Sequence, residues 1–326
     1  MKHITILVPE EAVLASVDNP RCLFTGVNAF LADAGKAPLF KVQLAGLSPE
    51  VKLHKGSFSV HTDLLLHEVR ATDLIIIPAL DGNMEKALEV NKAFIPWIIR
   101  QYHAGAEVAS LCVGAFLLAS TGLLNGRKCS THWKSADAFR TMFPEVELVA
   151  DRIITEDNGL YSSGGANSYW NLLLYLVEKY TDREMAILAS KYYAIEIERK
   201  TQSPFIMFNG QKGHEDEGVK KAQDFIERNV SEKISVEALA GRFAIGRRSF
   251  EKRFKKATNN TPVEYMQRVK VEAAKRSFET SRKNVNEVMY DVGYFDTKAF
   301  RTVFKRITGL SPIDYRNKYN KEAAVC

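Results

Sequence analysis

The sequence predicts two domains of different class: an α/β domain with a doubly wound, mostly parallel sheet, followed by an all-α domain built from a repeated helical unit. Three observations predict this. At 326 residues the chain exceeds one ordinary hydrophobic core. Up to about Tyr180 short aliphatic runs alternate with longer amphipathic ones, and beyond about residue 218 only helical periodicity remains. Charge also divides along the chain: Gly218 to Asn320 holds 23 Lys plus Arg against 12 Asp plus Glu, leaving −5 for the rest of a chain whose net charge is +6.

In chain order, Ile4 to Val8, Phe40 to Leu44, Leu74 to Ile77 and Val108 to Leu111 read as strands. Met84 to His103, Val113 to Leu124 and Ala166 to Tyr180 read as helices between and after them. Apolar strands alternating with helices belong in a sheet covered on both faces, with functional groups gathered at the strands' C-terminal ends. Domain one is assigned to residues 1–208. Residues 209–217, within a Pro-, Gly- and acid-bearing stretch from Arg199 to Gly218, read as a linker, and 218–320 as the helical domain.

Composition narrows the function classes. Hydrophobic content of 46% and charged content of 26% are those of a globular protein, and no apolar run is long enough to span a bilayer. The opening MKHITILVPEE meets Pro9, Glu10 and Glu11 at once and reads as a strand, not a signal peptide. Cys22, Cys112, Cys129 and Cys326 form no C-x-x-C pair, and His54, His61 and His67 lack metal-ligand spacing. No metal or cofactor is expected, and a reducing cytoplasm is the expected setting.

The helical domain repeats itself. Laying Ser235–Tyr265 over Val285–Tyr315 in an ungapped register pairs Phe250 with Phe300, Phe254 with Phe304, Lys255 with Lys305, Thr258 with Thr308, Pro262 with Pro312 and Tyr265 with Tyr315. Each copy reads as a short helix, a tight turn and a second, basic helix. The phenylalanines, four residues apart, share one face and seat that second helix. The opposite face is left for a polyanion: Arg247, Arg248, Glu251, Lys252 and Lys255 in the first copy, Thr297, Lys298, Arg301, Thr302 and Lys305 in the second. Thr261-Pro262 and Ser311-Pro312 are N-cap plus N1 signatures. A helix from Pro262 to about Glu279 is ~27 Å long, a spacer suited to two recognition helices about one DNA turn apart.

Residues Val219 to Tyr319 resemble the AraC/XylS DNA-binding domain, on the run Asp291-Val292-Gly293-Tyr294-Phe295-Asp296, then Phe300, Phe304-Lys305, Gly309-Leu310-Ser311-Pro312 and Tyr315-Arg316. The resemblance implies base reading by Arg248, Glu251 and Lys252 in one helix and by Lys298, Arg301 and Thr302 in the other. One departure is Gly246, where that family usually has a serine-like cap.

A second feature lies in the first domain. Ser110-Leu111-Cys112-Val113-Gly114 joins a strand to a helix with small residues two before and two after Cys112, as a nucleophile elbow requires. A helix N-terminus favours thiolate there. His132 is in reach as a partner, while Gly82 and Gly164-Gly165 are candidate backbone N–H donors to an anionic ligand.

This domain resembles the PfpI-like branch of the class I glutamine amidotransferase-like superfamily, on Asp73 to Pro78, the Cys112 elbow, Thr131-His132-Trp133, Ser162 to Gly165 and Gln202-Ser203-Pro204-Phe205. Joined to an AraC-type domain, it looks like the GlxA-like transcription regulators. The resemblance implies a flavodoxin-like sheet and an acidic residue after the first strand, Glu10 or, alternatively, Glu11. Val113 stands where peptidase-like members place histidine, and no His-x-Glu follows, so the resemblance points away from those two chemistries. The expected function is sequence-specific, ligand-controlled binding of double-stranded DNA by a homodimer. The expected effector is a small molecule such as an amide, amine or amino-acid derivative. The alternatives are a Cys112-dependent hydrolase or amidase fused to a DNA-binding domain, and a Cys112 redox sensor.

Overall fold

The computed structural model describes residues 1–197 and 200–320, so Cys326 lies outside the described residues. The chain divides after Gln202 into two compact units.

The first unit contains strands β1 (Lys2–Leu7), β2 (Phe40–Gly46), β3 (Glu50–Leu53), β4 (Phe58–His61), β5 (Leu64–Leu65), β6 (Leu74–Ile77), β7 (Glu107–Ser110), β8 (Lys128–Cys129), β9 (Glu147–Leu148), β10 (Ile154–Asp157) and β11 (Leu160–Ser163). Seven of them form one sheet in the order β10-β11-β7-β6-β1-β2-β5. All neighbours are parallel except β10 and β11. Strand pleating sends alternate residues to opposite faces. Ile4, Ile6, Leu74 and Ile76 therefore pack under helices α1 (Leu14–Asp33), α6 (Tyr169–Tyr180) and α7 (Arg183–Tyr192). Leu7, Ile75, Ile77 and Val108 pack under α3 (Phe94–His103), α4 (Ala115–Ser120) and α5 (Ala136–Met142). The doubly wound class is thus present.

Two expected helices are shorter or divided. Met84 to His103 is broken into α2 (Met84–Val90) and α3 at Asn91. The Asn91 amide donates to the Glu10 and Ala87 carbonyls, both at 2.8 Å, and its oxygen accepts from Glu10 N–H at 2.9 Å. A tertiary bond set at that residue outweighs helix continuation. Val113 to Leu124 becomes a 3₁₀ turn, Cys112–Gly114, followed by α4.

The second unit holds α8 (Glu217–Arg228), α9 (Val236–Arg242), α10 (Arg247–Thr258), α11 (Pro262–Thr280), α12 (Val285–Asp291), α13 (Thr297–Thr308) and α14 (Pro312–Tyr319). It has two apolar cores, one around Phe250 and Phe254 and the other around Phe300 and Phe304. The long α11 supplies Tyr265, Met266 and Val269 to the first and Val271, Ala274 and Phe278 to the second. The connecting segment also belongs to this unit, which moves the division ahead of the expected linker. Ile206 O accepts from Lys275 Nζ at 2.6 Å, Phe208 N–H donates to Glu272 at 3.1 Å, and Gln211 O accepts from the Gln223 amide at 2.9 Å. These bonds satisfy backbone groups that a free linker would leave to water.

Candidate functional site

Each helix-turn-helix unit is built from the apolar side outward. Phe250, Phe254, Phe300 and Phe304 are 0% exposed, so the faces of α10 and α13 that carry them are committed to the cores. The threonine ending each recognition helix bonds in the same way: Thr258 Oγ1 donates to Phe254 O and Thr308 Oγ1 to Phe304 O, both at 2.8 Å. Ser235, Asn284, Asp296, Thr261 and Ser311 cap their helices through side-chain oxygens, each satisfying a backbone N–H that the helix itself leaves open. Gly246, at the start of α10, makes no such bond.

On the other face of α10, Arg248, Lys252 and Lys255 are exposed; on α13, so are Lys298, Arg301, Thr302 and Lys305. Two expected readers are engaged with each other instead. Arg247 Nε donates to Glu251 at 3.2 Å, and its guanidinium also meets Glu237. Glu251 and Glu237 hold the Arg247 guanidinium still more firmly protonated than usual. Thr302 Oγ1 is turned back to Lys298 O at 2.8 Å, and Thr297 is half-buried at the helix start.

The repeat has a feature the ungapped register hides. Val236, which opens α9, corresponds to Val285, 49 residues on, whereas Arg247, which opens α10, corresponds to Thr297, 50 residues on. The second turn is therefore one residue longer. Phe243 to Gly246 fills the first, with Ala244 at φ 52°, and Val292 to Asp296 fills the second, with Gly293 at φ 70°. Buried residues follow this register, Leu239 with Val288 and Ala240 with Met289.

The second site candidate lies where β7 runs into the Cys112–Gly114 turn. Cys112 sits at φ 55°, in the left-handed region, a conformation costing on the order of 1–3 kcal/mol for a residue with a side chain. Its backbone is pinned on both sides: Cys112 N–H donates to Ser163 Oγ at 3.2 Å, and Cys112 O accepts from Thr131 Oγ1 at 3.1 Å. Gly114 is required by contact, because a Cβ there would lie 2.4 Å from Pro78 O. The elbow geometry is thus present, but its chemistry differs from the expectation. Burial pushes the Cys112 thiol up to about 12, the Val113 N–H opposing only in part. Desolvation of the anion outweighs the short helical turn.

The other expected members are placed as follows. His132 is half-buried, its Nδ1 accepts from Lys134 N–H at 3.1 Å, and burial with Lys134 lowers its pKa, so it is neutral at pH 7. The residue of that loop that touches the elbow is Thr131. Gly82 N–H donates to Asp81 at 2.8 Å, and Gly164 N–H to Ile153 O at 2.8 Å, so neither is open to an anion. Gly165, at φ 75°, lies against Ser168, whose Oγ would be 2.7 Å from an added Cβ. Glu10 is exposed, with its backbone held by Asn91, and Glu11 is exposed at φ 61°. Val113 is half-buried beside the thiol.

Sequence reasoning missed a polar pair here. Asn19, on α1, donates to the buried Tyr169 hydroxyl at 2.7 Å. Burial raises the Tyr169 pKa, and a negative charge on Cys112 would raise it further. Among the described residues, no group of three or more His, Cys, Asp or Glu side chains could hold a metal ion. No helix among them is long and apolar enough to cross a membrane.

A doubly wound sheet with a cysteine elbow, followed by two helix-turn-helix units, defines the class. Residues 29–179 match the DJ-1/PfpI family and residues 239–318 match the family described as a helix-turn-helix domain. The chain thus joins a DJ-1/PfpI domain to an AraC-type helix-turn-helix domain. Among its relatives, the HTH-type transcriptional regulator GbdR of Pseudomonas aeruginosa is 24% identical over 76% of this chain and 66% of its own length. The HTH-type transcriptional regulator CdhR of the same species is 21% identical over 86% of this chain and 83% of its own. For GbdR the matched stretch therefore spans just under two thirds of the relative. A putative transcriptional regulator from Vibrio parahaemolyticus, 22% identical, superposes with a TM-score of 0.53 over 59% of this chain and 98% of its own. That likeness concerns the fold.

Proposed function

We propose that the protein is a sequence-specific regulator of transcription that binds double-stranded DNA through α10 and α13 and is controlled by a small ligand held beside Cys112. The observation that carries this reading is the duplicated recognition helix, each copy seated by two buried phenylalanines and presenting cations outward. Arg248, Lys252, Lys298, Arg301 and Lys305 are the groups suited to phosphates and to guanine edges. AraC-family relatives carrying the name transcriptional regulator support it. A homodimer in the reducing cytoplasm completes the reading.

A neutral, strained, buried thiol beside the Asn19–Tyr169 pair suits binding of an uncharged or zwitterionic molecule, such as an amide, amine or amino-acid derivative, more than nucleophilic or redox work, which needs thiolate. Anisotropy titrations of the full chain on upstream DNA and on a scrambled duplex, at several salt concentrations, test the DNA reading. Equal affinities with equal salt slopes would mean non-specific contacts and would end it. A thermal-shift screen of amides, amines and amino-acid derivatives tests the ligand reading, because a ligand of the folded state raises the melting temperature. The shift should shrink in Tyr169→Phe and in Asn19→Ala. Alkylation of Cys112, followed by mass spectrometry, should be slow at pH 7 and accelerate up to pH about 12. Fast labelling at neutral pH would instead favour a catalytic or redox cysteine.

A further inference from the structure

Lys270 projects from the middle of α11 and is half-buried. Its Nζ donates to Val230 O at 2.6 Å, Glu232 O at 3.1 Å and Val292 O at 2.7 Å. An ammonium has three N–H bonds, so the group is saturated by three backbone carbonyls. Val230 and Glu232 lie in the loop from α8 to α9, which starts the first helix-turn-helix unit, and Val292 closes α12 at the turn of the second. Beside Val292, Gly293 brings the second turn so close to the first unit that a Cβ would lie 2.1 Å from Ser231 O. Val230 packs against both apolar cores, and the Lys270 ammonium also lies 5.8 Å from the Tyr294 ring centre.

We propose that Lys270 is a positioning residue that locks the first recognition unit to the second and so sets the spacing at which the protein reads DNA. The proposal rests on the DNA-binding reading above. Two helical units that share one long helix can still bend about it. A cation bonded to both loops, at a point where the two backbones meet without an intervening side chain, removes that freedom. Charge-assisted bonds are the stronger kind, and here they join groups more than twenty residues apart on either side of the lysine.

The test uses the full chain and a duplex selected by it from a random pool. Affinity is measured for that duplex, for the same duplex with one base pair inserted between its two halves, and for each half alone. Wild type should lose about tenfold or more on insertion, because its readers dock at a fixed helical spacing. Lys270→Met, which keeps the stem and removes the donors, should lose about threefold or less on insertion while binding each half within about twofold of wild type, since the effect is on coupling and not on either contact set. Lys270→Gln should fall between the two and serves if the Met variant does not fold by circular dichroism. A variant that is folded and pays the wild-type insertion penalty overturns the proposal. If wild type selects no sequence at all, the DNA-binding reading fails first.

Discussion

The first helix-turn-helix unit and the second are the same inside and different at the rim. Phe250 and Phe254 seat α10 as Phe300 and Phe304 seat α13, and each recognition helix ends on a buried threonine bonded to the second phenylalanine's carbonyl. At the surface the correspondence is only partial, with Lys255 matched by Lys305 and Arg248 by Lys298. Glu251 stands where the second copy has Arg301, and Lys252 where it has Thr302. The first helix starts on an uncapped Gly246, the second on Asp296, whose side chain accepts from Ala299 N–H at 2.9 Å. Apolar packing tolerates little change without loss of stability, whereas exposed positions vary at little cost. The difference teaches that the two units share a scaffold and present different side chains, so on the DNA-binding reading proposed above they would read different bases.

The comparison can be broken most severely at its shared part. Phe254→Ala and Phe304→Ala should each cost about 3–5 kcal/mol in urea denaturation, and a much smaller cost in one copy would show that the two layers are not equivalent. Next comes the turn. Gly293→Ala should cost on the order of 3 kcal/mol, combining left-handed backbone strain with the clash on Ser231 O. Ala244→Gly, at the matching place in the first turn, should leave stability level or raise it by up to ~1 kcal/mol, because the residue is already at positive φ. At the reading face, Lys252→Ala and Arg301→Ala should each lower specific DNA affinity by about 1–3 kcal/mol and relax the preference at different base positions. Loss of preference at the same position would refute the claim that the two units read different bases. The smallest effect concerns the caps. Asp296→Ala should cost about 1 kcal/mol, while Gly246→Ala should change thermal stability by well under ~1 kcal/mol, there being no side-chain bond to lose.

Much of the architecture was legible because it is written in local pattern. Leu74 to Ile77 is fully apolar and bounded by Asp73 and Pro78, and it forms a strand with those ends. Thr261-Pro262 and Ser311-Pro312 start helices because a capping hydroxyl and a fixed φ are properties of those residues alone. What stayed hidden depends on partners distant in sequence. The first helix, Leu14–Asp33, was unforeseen: it carries Pro20 in its interior and polar Asp18, Asn19 and Arg21, and packing on the sheet decides it. The break at Asn91 depends on Glu10, eighty-one residues away. At the elbow, small-residue spacing revealed the turn, but the burial that keeps Cys112 protonated is a tertiary property, as is the pairing of Asn19 with Tyr169. The ungapped register concealed the extra residue in the second turn, since identities cluster from the recognition helices onward, on the C-terminal side of that turn.

That extra residue carries a consequence for how the second turn can vary. Phe295 is 74% exposed and Asp296 is exposed as well, so the lengthened turn adds nothing to the buried layer. The exposed end of this bend, Phe295 and Asp296, can differ in length without removing a side chain from the core. On the DNA-binding reading proposed above, the aim of α13 depends on the length of this turn as well as on the side chains the helix presents.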